Sequence, residues 1–265
     1  MRLILILVML LMGGTIPFHG AAAQDTPPPP QGDFSALRQT AFGRVEQVID
    51  GTTVLLKDKK IIRLPGLYIP PDEDVAFSAK ELLTRELPPG TELVLYQTRR
   101  QETGRINRMG QILAHPVRKK DGVWIHGRIL ESGMALTMPV ESNPEKTDDM
   151  LKAETKARRD KAGLWARYPL LTPENAAQAL GDYRVVEGIV RKTAIAKNNL
   201  YLNFGDDWKA DFTVMITPDI RKKLARKNID AQTLSGKNIR VRGDLRAYNG
   251  AFIELTNIES LEVFP

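Results

Sequence analysis

The sequence predicts an α+β protein, mostly strand with helices between, built as two small barrel-like domains joined by a connector. Three observations carry this. Short runs of β-branched and aliphatic residues, bounded by turn residues, recur through both halves of the 265-residue chain. Stretches with helical spacing of apolar residues lie between and after those runs. A tetraproline near the N-terminus and a capped connector at 168–181 separate the segments.

Residues 1–23 have the layout of a secretory signal peptide: Met1-Arg2, an apolar run from Leu3 to Met12, a break at Gly13-Gly14 and the small-residue site Ala21-Ala22-Ala23. The apolar run is shorter than the roughly 20 residues a bilayer span needs. The expectation is cleavage after Ala23 and a secreted or periplasmic mature chain with no membrane span. Residues 24–42, with Pro27 to Pro30, read as an extended tether. The chain has no cysteine, which excludes disulfides, a thiolate nucleophile and zinc–cysteine sites. A net charge of +6, spread over both halves, suits a polyanion without requiring one.

Residues 43–167 form the first expected domain. Val45 to Pro71 reads as a strand meander, with Asp50-Gly51 and Asp58-Lys59-Lys60 as turns. Arg63 interrupts the apolar run of Ile61, Ile62 and Leu64, so it faces the other side of its strand. Val75 to Glu86 follows an acidic first turn and repeats Ala76, Ala79 and Leu83, as a helix does. Thr91 to Gln97 and Gln111 to Val117 are strands, joined by an exposed link rich in arginine (Arg99, Arg100, Arg105, Arg108). Trp124 to Ser132 and Thr147 to Ala162 are helices, each followed by glycine.

In the connector, Thr172-Pro173 opens a short helical turn that Gly181 closes. Residues 182–265 then read as strands over 183–191, 200–204, 210–216, 238–245 and 251–255, with a sixth at 259–264 and a helix opened by Thr217-Pro218. A helix between the third and fourth strands is the order of an OB-type five-stranded barrel.

The first domain resembles the staphylococcal nuclease-like (thermonuclease) family. Five blocks carry the likeness in order: Val45 to Val54, Ile62 to Leu64, Asn107 to Ala114, Leu130 to Ala135, and Leu151 to Trp165. The resemblance implies a small OB barrel with three helices and a calcium-dependent phosphodiesterase. In that family two aspartates hold the metal, a glutamate assists the attacking water and two arginines stabilise the phosphate. The first metal aspartate falls here on Thr52, the second on Tyr68, the glutamate on Pro71 and the second arginine on Gln111; Arg63 alone is kept. A one-residue insertion would bring Asp72 to the glutamate position, and Arg105 could replace the lost arginine. The expectation is a degenerate, non-catalytic site without a cofactor. The alternative is an active enzyme of altered geometry, with calcium, using Arg63, Asp72 and Arg105.

His115 and His126 lack a partner at ligand spacing and read as strand or surface histidines. For binding, the sequence offers Arg99, Arg100 and Arg108, and in the second domain Arg191, Lys192, Tyr201, Trp208 and Lys209. Aromatics interleaved with cations are what single-stranded nucleic acid stacks on, though alternating aromatics also fill small barrels. The expected partner is single-stranded nucleic acid or an envelope protein.

Overall fold

The computed structural model describes residues 31–207 and 210–264. The expected leader and the whole proline run, Pro27 to Pro30, lie outside the described residues, as do Trp208 and Lys209.

The N-terminal half begins with β1 (Leu37–Asp50), β2 (Thr53–Leu56), β3 (Ile61–Arg63) and β4 (Leu67–Tyr68). The meander forms because β-branched residues alternate between tight turns. Val45, Val54 and Ile62 are fully buried, and Asp50 closes the first turn by accepting from Thr52. Gly51 lies against α1 (Glu73–Glu86), where a Cβ would come within 2.7 Å of Ala79, so a larger residue would push the helix away. Asp72 caps α1 by accepting from Val75 N at 3.1 Å, and Glu73 and Asp74 complement the positive end of its dipole.

Then come β5 (Glu92–Thr98), β6 (Ile112–Leu113), β7 (His115–Arg118), α2 (Ile125–Glu131), β8 (Leu136–Thr137), α3 (Thr147–Arg159) and α4 (Leu164–Arg167). Six strands form one sheet in the order β6-β3-β2-β1-β5-β7, and β4 pairs with β8 apart from it. β3 and β6 run parallel, with Arg63 opposite Leu113. The sheet's edges, β6 and β7, are separated in the chain by Ala114 alone, but no ladder joins them.

The C-terminal half contains β9 (Tyr183–Ile189), β10 (Lys192–Ala196), β11 (Asn199–Asn203), β12 (Thr213–Ile216), α5 (Pro218–Arg226), β13 (Asn238–Asp244), β14 (Arg246–Ala247), β15 (Ala251–Leu255) and β16 (Leu261–Val263). Thr217 caps α5, with Pro218 in its first turn. A five-stranded sheet, β10-β11-β12-β15-β14, packs over a three-stranded one, β16-β13-β9. β12 and β15 are parallel, as β3 and β6 are in the N-terminal half.

The α+β class with OB-like strand order is observed, with two corrections. Neither half closes into a hydrogen-bonded barrel among the described residues; in the C-terminal half the expected first strand breaks at Val190 and Arg191 and continues in the other sheet as β10. The tether expected over 24–42 also ends early. β1 starts at Leu37, and Phe34 and Leu37 are buried in the first core, because this segment can pair with β5 along its whole length.

Each half has its own core, and a third apolar cluster lies between them, with Val75, Leu136, Leu164 and Trp165 from one side and Tyr183 and Val185 from the other. In that seam Arg242 of β13 is fully buried against Glu154 of α3, at 2.9 Å to both carboxylate oxygens. Burial pulls the Arg242 guanidinium down, but the charges of Glu154, Tyr183 and Glu262 outweigh it and hold it above its usual range. Among the described residues no helix is long and apolar enough to cross a membrane.

Candidate functional site

The meander brings Thr52, Thr53, Asp50 and Arg63 together, whereas Gln111 precedes β6, whose Leu113 is the residue opposite Arg63. Thr53 lies opposite Arg63 in the β2–β3 pair. The Arg63 guanidinium donates to Thr53 Oγ1 at 2.9 Å and pairs with Asp50 Oδ2 at 3.5 Å. Thr52 donates to Asp50 Oδ1 from both its N–H, at 2.7 Å, and its hydroxyl, at 2.9 Å. Burial pushes the Asp50 carboxyl up, but the Thr52 and Thr53 hydrogen bonds and the Arg63 charge outweigh it and leave its pKa below the ordinary value. Both Asp50 oxygens are therefore occupied, and Arg63 is turned toward a carboxylate of its own chain while its side chain stays 40% exposed.

Tyr68 faces away from this group. Its ring packs against Tyr183 with centroids 4.9 Å apart, and the Tyr183 hydroxyl donates to Thr137 O at 3.1 Å. Desolvation in this seam raises the pKa of both phenols. Pro71 is exposed at the entry to α1. Gln111 accepts from Asn107 Nδ2 at 2.7 Å, a turn-closing bond that ties its amide to the loop before β6.

The two residues that could restore a catalytic set are engaged elsewhere. Besides capping α1, Asp72 accepts from the Tyr168 hydroxyl at 3.2 Å and from Arg167 at 3.4 Å. Arg105 donates to the carbonyls of Thr98 and Arg99. The arginine link is less free than its sequence suggests: Arg99 donates to Ser35 O and Arg100 to Glu141 O, each at the protein's own surface. Arg108 is exposed.

The donor set does not suit a calcium ion, which takes six or more oxygens with several carboxylates among them. At Thr52 and Tyr68, where the motif order expects the metal aspartates, stand a hydroxyl bonded to Asp50 and a phenol packed in the seam. Among the described residues no group of three or more acidic or histidine side chains converges on a point.

In the C-terminal half the five-stranded sheet has two unlike faces. Leu200, Leu202, Val214, Ile216, Ile253 and Leu255 point into the core. On the opposite face, by strand alternation and register, Tyr201 lies between Ala194 and Met215, and Lys192 beside Asn203. Tyr201 is half-buried there and Lys192 and Arg191 are exposed, so this face can present an aromatic ring next to cations. Phe204 and Phe212 are core residues, their rings tilted by 46° with centroids 4.9 Å apart.

Sequence reasoning missed three features. His115 is on strand β7 as one reading had it and His126 is on α2, but neither is at the surface: both are buried, their rings 4.3 Å apart, with Trp124 stacked on His126 and the Lys146 ammonium 4.7 Å from the Trp124 ring. Desolvation drives both imidazoles down, His126 to about 3. The Arg242–Glu154 pair was also unread, and so was the exposed Phe42 on β1. Only Phe42 left a trace in the sequence, as an aromatic next to glycine and arginine.

No curated protein matches the chain. Residues 71–167 match the model of a family described as staphylococcal nuclease homologue. The match starts at Pro71, so the placement of Thr52, Arg63 and Tyr68 on catalytic positions comes from the motif order alone. The match spans α1 to α4 and β5 to β8, and similarity to this family suggests nuclease-like or nucleic-acid-binding function.

Proposed function

We propose that the chain is an exported, non-catalytic binding protein in which the nuclease-like half and the OB-like half together engage single-stranded nucleic acid. The observation that carries this is the state of the two metal positions. Thr52 bonds Asp50, and Tyr68 packs on Tyr183, so neither offers a carboxylate and a ligand at the second would have to part the two halves. Without the metal, the base or the second arginine, the transition-state charge of phosphodiester cleavage has one cation to meet it, Arg63, already paired with Asp50. The leader-like N-terminus supports export.

Nucleic acid is favoured as the partner by the outward face of the five-stranded sheet, where Tyr201 lies near Lys192, and by the family relation of residues 71–167. No cofactor is required. The test is binding of fluorescein-labelled single-stranded DNA and RNA to the mature chain at increasing salt. A nucleic-acid binder loses affinity linearly in log salt, at about 0.7 per phosphate neutralised. Absent or salt-insensitive binding would leave a protein as the partner.

A further inference from the structure

The long first strand has one side in use and one side open. Residues 37–44 pair with β5, but β2 reaches only to Val45, so the other side of this segment has no strand. Among the described residues, no N–H or C=O of residues 38–43 bonds to a backbone group on that side. Alternation fixes which groups point outward. Val45 bonds toward β5, donating to Thr91 O at 2.9 Å and accepting from Gly90 N at 2.8 Å, while Arg44 O turns the other way to accept from Lys57 N at 2.8 Å. Two residues back from Arg44, Phe42 therefore directs its N–H and C=O to the open side.

An open strand edge is a template for another strand unless something blunts it. Here the bulge at Thr40 bends the edge, so a short segment fits it better than a long one. Phe42 is 60% exposed and borders a hollow of about 300 Å³ whose charged rim is Arg44, Lys57 and Lys119 with Asp58 and Glu92, Asp58 being paired with Lys60. Arg44 and Lys119 share Glu92, whereas Arg38 and Lys57 have no ion pair among the described residues. Unpaired cations thus stand at both ends of the edge. A second copy laid antiparallel on it would bring Arg38 of one chain toward Arg44 and Lys57 of the other, cation against cation, which disfavours self-pairing.

We propose that the open edge of β1 over residues 38–43 takes a short, extended, acidic peptide segment of a partner protein as an added strand. Main-chain bonds to Phe42 supply affinity. The Phe42 ring takes an apolar side chain of the segment, and Arg38 and Lys57 take its carboxylates. This surface is separate from the nucleic-acid reading, and neither depends on the other.

The test uses the mature chain and a short fluorescein-labelled peptide of alternating glutamate and valine, with a lysine–valine peptide as control. The glutamate peptide is expected to raise anisotropy saturably and the control not to. Phe42→Pro removes the outward N–H and the ring together, the two contacts assigned to this residue, at an edge position that tolerates proline, and is expected to weaken binding about tenfold or more with the thermal transition retained. Should that variant fail to fold, the double variant Arg38→Glu/Lys57→Glu carries the test and is expected to abolish binding. Three results would overturn the proposal: no binding of the glutamate peptide, equal binding of both peptides, or full affinity in a folded Phe42→Pro chain. Sedimentation of the unliganded chain adds a fourth, since a dimer that Phe42→Pro dissolves would make a second copy the occupant.

Discussion

The ring of Tyr68 packs on the ring of Tyr183 at 4.9 Å between centroids, tilted by 44°. The first residue belongs to the nuclease-like half and the second opens the OB-like half, so the position where the motif order expects a metal aspartate helps join the two. Tyr68→Ala removes a half-buried aromatic from this seam and is expected to lower stability by about 1–3 kcal/mol, less than for a fully buried ring. Chemical denaturation of the purified chain measures it.

Thr52→Asp restores one carboxylate of the family motif but at a buried position against Asp50, whose oxygens are already engaged. A carboxylate buried there, beside the half-exposed Asp50, has no partner, so a loss of about 2–4 kcal/mol is expected. Millimolar calcium is expected not to recover it, because Tyr68 and Pro71 supply no further carboxylate. Thermal melts with and without calcium decide this.

Arg242→Met leaves the Glu154 carboxylate buried without its strongest partner. The expected loss is about 3–5 kcal/mol, whereas Arg242→Met with Glu154→Leu removes both charges and is expected to lose much less. A double-mutant cycle by urea unfolding reads the difference.

Acid should weaken the fold before the carboxylates titrate. His115 and His126 are buried and held neutral, with pKa values below the ordinary 6.5 and about 3 for His126. Below pH 6.5 the unfolded chain takes up protons that the folded chain refuses, so stability is full above that value and falls as the pH drops toward the folded pKa. The slope contributed is at most about 1.4 kcal/mol per pH unit for each histidine. Tm measured between pH 7 and pH 4.5 is expected to decline, and His115→Phe, which keeps a ring on His126 and Trp124, is expected to flatten the decline by about half.

How much of this was legible depended on whether the determining contacts were local. The meander could be read because Val45, Val54 and Ile62 alternate between turn residues, α1 because an acidic first turn precedes the repeat of Ala76, Ala79 and Leu83, and α5 because Thr217-Pro218 opens it. β10 was missed since Lys192 to Ala196 is short, partly polar and follows a break that only the packing of two sheets explains. The early start of β1 was hidden because the tether expected from the tetraproline was read on to residue 42. For the site, the identities at 52, 68, 71 and 111 follow from motif order, but not where their side chains turn. Nothing near Arg242 in sequence points to Glu154, and His115 and His126 meet only because β7 and α2 pack together.

On the outward sheet face, Tyr201→Ala is expected to weaken single-stranded DNA binding by about 1–3 kcal/mol, the usual value of one stacked base, while leaving the core rows untouched. Fluorescence anisotropy at fixed salt gives the comparison, and Arg63→Ala shows whether the nuclease-like half shares the load.

The proposed function requires a nuclease-like fold that lacks phosphodiesterase chemistry. Its most direct measurement is a cleavage assay of purified mature chain on labelled single-stranded DNA and RNA, with and without millimolar calcium, beside the Arg63→Ala variant. Intact substrate in every lane is the predicted result; calcium-dependent cleavage that Arg63→Ala abolishes would contradict it.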